Sequence, residues 1–97
     1  MYCEEIKYTS HADKMLDERQ IRAGDVDRIV KTGEIIREYL TDVPHPSRLL
    51  LGFVDERPIH VLVGRDDFDG VCYVVTAYEP DVLKWKPDFK TKLKIET

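Results

Sequence analysis

The sequence predicts an α+β domain, with two N-terminal helices packed on a four-stranded antiparallel sheet and an irregular or short helical C-terminal tail. Three observations carry this. Apolar residues recur at helical spacing as far as Gly33 and alternate with period two from Glu34 onward. Val71-Cys-Tyr-Val-Val-Thr-Ala-Tyr78 is rich in β-branched and aromatic residues on both of its alternating faces, as in a central strand covered on two sides. The four extended runs are joined by short loops, for which a meander is the economical topology.

The elements follow in order. Ile6-Lys-Tyr8-Thr alternates briefly and fits a short edge strand. Ser10-His-Ala-Asp13 reads as a capping-box-like helix start, and Ala12, Met15 and Leu16 form a narrow apolar stripe behind it. Val26, Ile29 and Val30 give the second helix its apolar face. Its start at Arg22-Ala-Gly24 has no side-chain cap, and Gly33 reads as a left-handed C-terminal cap. Strands are expected at Glu34–Leu40, Arg48–Val54, Ile59–Gly64 and through the run from Val71, which Pro80 closes. Pro44 and Pro46 make 41–47 a loop, and Asp55–Pro58 is a turn. Asp81–Trp85 has room for one helical turn, and Lys86–Ile95 interleaves lysines with apolar residues.

A chain of 97 residues is one domain, 1–97, with one modest core. No run approaches the roughly 20 apolar residues of a membrane-spanning helix. Met1-Tyr-Cys-Glu-Glu5 lacks a secretory pattern, and Cys3 and Cys72 sit in no C-x-x-C motif. A cytoplasmic protein with reduced thiols is therefore expected, with no membrane partner. Residues 1–81 carry 10 basic and 17 acidic residues, a balance of −7, whereas 82–97 carry 5 lysines and 2 acids, a balance of +3. An acidic body discourages indiscriminate phosphate binding, and only the tail clusters cations.

The chain contains no G-x-G-x-x-G, P-loop, H-E-x-x-H or G-x-S-x-G. His11 opens the first helix, where the dipole favours a neutral imidazole: a base, or else a surface histidine. His60, flanked by Ile59 and Val61, is either a general acid/base held on a strand or a histidine satisfied by a backbone or tyrosine partner. If the adjoining hairpin pairs residues of equal parity, His60, Thr76 and Tyr78 share a face; a one-residue slip sets His60 against Val75. Arg19 could clamp a phosphate or rest in a solvated ion pair. A zinc site from His11, His60 and a carboxylate would lack recognised spacing, so neither a metal nor any other cofactor is expected. Trp85 and Phe89 read as a hydrophobic latch for the tail.

His11-Ala12, Glu18-Arg-Gln-Ile21, Asp25-Val26 and Gly33-Glu-Ile-Ile36 with Tyr39 resemble the first half of a family of small prokaryotic domains of unknown function. Asp42-x-Pro44, Ser47, Leu50-x-Gly52, Pro58-x-His60-Val61 and Thr76-Ala-Tyr-x-Pro-Asp81 with Trp85 and Phe89 resemble its second half. That family is grouped with the RelE/ParE-like and BrnT-like toxins of type II toxin–antitoxin systems. The resemblance implies metal-independent mRNA cleavage, with RNA and a zinc-finger or helix-turn-helix antitoxin as partners. Carried onto matching positions, His11, Arg19, His60 and Tyr78 are the candidate site residues; the family pattern does not fix their roles, and the chemistry is read here with His60 as base, Arg19 as phosphate clamp, and His11 or Tyr78 as acid. The chain departs from the family pattern at Arg22, where serine is common, and at Lys90, Lys92 and Lys94, where arginines are common. The competing class is a non-catalytic toxin-fold module that binds a protein partner or small ligand.

Overall fold

A computed structural model describes residues 1–93; Lys94 and Ile95, assigned above to the tail, lie outside them. The elements are β1 (Glu5–Tyr8), α1 (Ser10–Arg19), α2 (Ala23–Thr32), β2 (Glu34–Tyr39), β3 (Ser47–Val54), β4 (Arg57–Arg65) and β5 (Val71–Tyr78). The class is α+β as expected, but the sheet has five strands in the order β1-β5-β4-β3-β2. Strands β2 to β5 form the expected antiparallel meander, whereas β1 pairs with β5 in parallel, Ile6 opposite Cys72 and Tyr8 opposite Val74. The sheet is therefore mixed, not purely antiparallel. Once β4 holds one side of β5, the other offers free backbone groups, and the short N-terminal strand fills them.

The parallel pairing also settles the cysteines. Cys3 lies just ahead of β1, Ile6 is opposite Cys72, and Cys3 and Cys72 form a disulfide with a Cα–Cα separation of 5.6 Å. The expectation of reduced thiols is thus corrected. A 69-residue sequence separation disguised two neighbours. No helix among the described residues is long and apolar enough to cross a membrane.

Both helices lie on one face of the sheet. Ala12 and Leu16 of α1 and Val26, Ile29 and Val30 of α2 are buried against Leu50, Ile59, Val61, Val63, Cys72, Val74 and Ala77. Met15 is only half-buried. The cap of α1 falls one residue before Ser10, on Thr9, whose hydroxyl accepts from the Ala12 amide at 3.0 Å. At the end of α2, Gly33 has φ −69° and ψ 166°, an extended conformation and not the left-handed cap expected. Crowding explains the glycine: a Cβ there would lie 2.5 Å from the Ile29 carbonyl oxygen and 2.9 Å from that of Leu51.

Strand β5 is interior, paired with β1 and β4, as expected. Its two faces are not equally covered. A bulge in the β4–β5 pairing follows Leu62↔Thr76 with Val63↔Val74, leaving Val75 unpaired between them. The shift puts Ala77 on the helical side with Cys72 and Val74, while Val75 is half-buried. Unbroken alternation would put Ala77 on the face of Val75. The second face of the sheet carries no helix, and the C-terminal tail crosses part of it.

Candidate functional site

The β4–β5 ladder pairs His60 with Tyr78 and Leu62 with Thr76, the equal-parity register, so His60, Thr76 and Tyr78 share the face away from the helices. Leu51 of β3 sits opposite His60 on the same face. Over them lies the tail. After one turn closed by the Trp85 amide on the Asp81 carbonyl at 3.1 Å, residues 85–92 fold into a small antiparallel loop. Trp85 and Lys92 form its bridge, and Lys86 N–H donates to the Thr91 carbonyl at 2.8 Å. Asp88 closes the turn by accepting from the Lys90 and Thr91 amides. Those two bonds hold its carboxyl below the ordinary carboxylate value.

This loop seals His60. The imidazole is 0% exposed, its ring edge-on to Trp85 at 4.5 Å between centroids and to Tyr78 at 5.3 Å. One ring nitrogen, Nε2, is 2.7 Å from the Phe89 carbonyl oxygen, and Nδ1 is 3.2 Å from the Tyr78 hydroxyl. A carbonyl only accepts, so Nε2 carries the proton, and Nδ1 accepts from the tyrosine. Burial is the larger influence on the ring and lowers its pKa, against the raising effect of the Phe89 carbonyl. Burial likewise raises the Tyr78 hydroxyl's pKa, with Tyr39 adding to the rise and the Arg19 guanidinium opposing it. Phe89 itself stands at φ +59°, a left-handed conformation that costs a non-glycine residue of order 1 kcal/mol or more. Its carbonyl reaches the imidazole from that backbone.

A titration follows from this geometry. The folded-state value lies below the ordinary 6.5, so the unfolded chain binds a proton first as pH falls. The contribution to stability is intact above pH 6.5 and is lost progressively from there down to the lowered folded value. Thermal unfolding between pH 7 and 5 should show this loss in the wild type. In His60→Gln, which keeps polarity without a titration in this range, that part of the slope should vanish.

Beside the sealed pair opens a cleft of about 700 Å³. Arg19, Tyr78 and Trp85 line it with Arg57, Lys84 and Lys92, and Glu79 and Asp81 add two acids. Arg19 reaches it from the end of α1 and donates to the Ala77 carbonyl at 2.8 Å and the Thr76 hydroxyl at 3.3 Å. Arg57 pairs with Glu79 at 2.6 Å and donates to the Arg19 and Gln20 carbonyls, which close α1. Both guanidiniums therefore brace the junction of helix and sheet as well as lining the cleft.

Of the four sequence candidates, the structure brings three together: His60 behind Tyr78, and Arg19 beside Tyr78 in the cleft. His11 is not among them. It is exposed near the start of α1, outside the residues lining this cleft. Nor does it join His60 in a metal site. Among the described residues no three histidine, cysteine, aspartate or glutamate side chains are grouped to hold an ion.

Sequence reasoning passed over Arg57, which it placed in a turn, and His45. His45 stacks on Tyr73 with centroids 5.3 Å apart, at the wall of a second groove floored by Leu62 and Val75. The pairing of Tyr73 with Gly64 in β4 leaves room above the strand for that ring, a signal visible only once the register is known.

The arrangement defines a small domain with one helical layer and a sheet whose second face holds a histidine–tyrosine pair under a C-terminal strap. Residues 8–79 match the family described as Domain of unknown function (DUF4258), and the chain belongs to that family. No curated protein and no solved structure matches the chain. The matched segment contains Arg19, His60 and Tyr78 and stops short of the strap.

Proposed function

We propose that this domain is a non-catalytic binding module of RelE/BrnT-toxin-like fold, acting on a protein partner. The carrying observation is His60: fully enclosed, with both ring nitrogens engaged. A general base must come within hydrogen-bond reach of the proton it abstracts. In this arrangement no ribose hydroxyl can approach either nitrogen. The enclosure supports the second of the two sequence alternatives for His60, satisfaction by tyrosine and backbone, over acid/base catalysis. The acidic body, at −7 over residues 1–81, also disfavours the dense phosphate contacts of a nuclease. A cognate antitoxin of the type implied by the family resemblance is the partner this reading favours.

One observation favours the second reading, a metal-independent mRNA endoribonuclease toxin. Arg19, Arg57, Lys84 and Lys92 border one cleft with Tyr78, which sets a phenol among cations that could hold a phosphate. The two are separated by incubating the purified domain with a mixed mRNA substrate and measuring growth on induced expression. The module reading expects intact RNA and no growth arrest. RNA cut by the wild type but not by Tyr78→Phe would establish the nuclease instead.

A further inference from the structure

The residues that seal His60 also specify what its surface accepts. His60, Arg37, Phe53 and Glu34 all lie within the family-matched segment 8–79, whereas the residues that touch them here, Trp85, Phe89 and Lys90, lie beyond it. The strap is fastened at four points. Trp85 is 6% exposed against the imidazole, with the Arg37 guanidinium 5.9 Å and the Lys92 ammonium 5.8 Å from the indole centroid. The Phe89 carbonyl accepts from His60, and the Phe89 ring meets Phe53 edge-on at 6.4 Å. Lys90 pairs with Glu34 of the edge strand at 3.0 Å. The occupant thus presents an indole, a backbone carbonyl and a lysine to three different groups of the body.

We infer that this sheet face is a peptide-binding surface occupied in cis, and that it takes in trans a lysine-rich segment carrying a tryptophan. The inference rests on the binding-module reading and names its site and ligand class. Charge supports the choice of a basic segment: the body through residue 81 stands at −7 and the remainder of the chain at +3. The outer side of the segment leading into the strap is apolar and open, with Val82 69% and Leu83 77% exposed, so a competing chain has purchase at its base.

The test uses the full chain and a fluorescent synthetic peptide copying residues 80–93. In fluorescence anisotropy the wild type should bind the peptide weakly, because its own strap competes. Trp85→Ala, with the strap unpinned, should bind it at least about tenfold more tightly, by the mass-action logic of a removed intramolecular competitor. A peptide with alanine in place of the indole should not bind. Should Trp85→Ala fail to fold by circular dichroism, Trp85→Leu supplies the same comparison, because it removes the indole from the imidazole and the Arg37 guanidinium while keeping apolar bulk under the strap. Equal binding by wild type and the folded variant, or equal binding of the indole-free peptide, overturns the inference. The RNA assay separates the failures. Uncut RNA with no peptide binding removes only this surface, whereas cut RNA removes the module reading beneath it.

Discussion

His60→Ala is expected to destabilise the domain by about 3 kcal/mol, lowering the melting temperature by roughly 12–24 °C for a chain of this size. Two terms add. The ring is fully enclosed and contacts Trp85 and Tyr78, so its removal leaves a cavity under the strap. The Phe89 carbonyl and Tyr78 hydroxyl also lose their partner. Urea denaturation followed by circular dichroism measures the loss. A catalytic histidine on an open surface would give the opposite pattern, with activity abolished and the midpoint within about 0.5 kcal/mol of wild type.

Gly33→Ala should cost a similar amount, about 3 kcal/mol, at the upper end of overpacking. The added methyl would stand 2.5 Å from the Ile29 carbonyl and 2.9 Å from the Leu51 carbonyl, and both obstacles are backbone. One belongs to α2 and the other to β3, so relief requires moving the helix off the sheet. Gly24→Ala is the control. Nothing lies within 4 Å of a Cβ there, and inside a helix alanine should stabilise by roughly 0.5–1 kcal/mol. Opposite signs for the two substitutions in one thermal-unfolding series would establish close approach, not backbone dihedral, as the reason for Gly33.

Much of this fold could be read from residue order because its signals are local. The period change at Glu34, the prolines at 44 and 46, and the apolar spacing of Val26, Ile29 and Val30 each act within a few residues. The errors share a different origin. The parallel β1–β5 pairing joins positions 66 residues apart and the Cys3–Cys72 bridge positions 69 apart, and no local pattern reports such a meeting. The bulge at Val75 inverted the face of Ala77, since alternation assumes an unbroken ladder. At the site, the shared face of His60 and Tyr78 was legible as a parity question, and Trp85 and Phe89 as a latch. That the latch closes on His60 was not legible, because a carbonyl from Phe89 leaves no mark in the side-chain sequence.

The central claim is that His60 is shut beneath the C-terminal strap, and acylation by diethyl pyrocarbonate tests it most directly. The reagent attacks an accessible neutral imidazole nitrogen, and peptide mapping by mass spectrometry resolves each histidine. In the wild type at pH 7, exposed His11 should be modified and His60 should remain intact, while Trp85→Ala should make His60 reactive. Modification of His60 in the wild type at the rate of His11 would contradict the account.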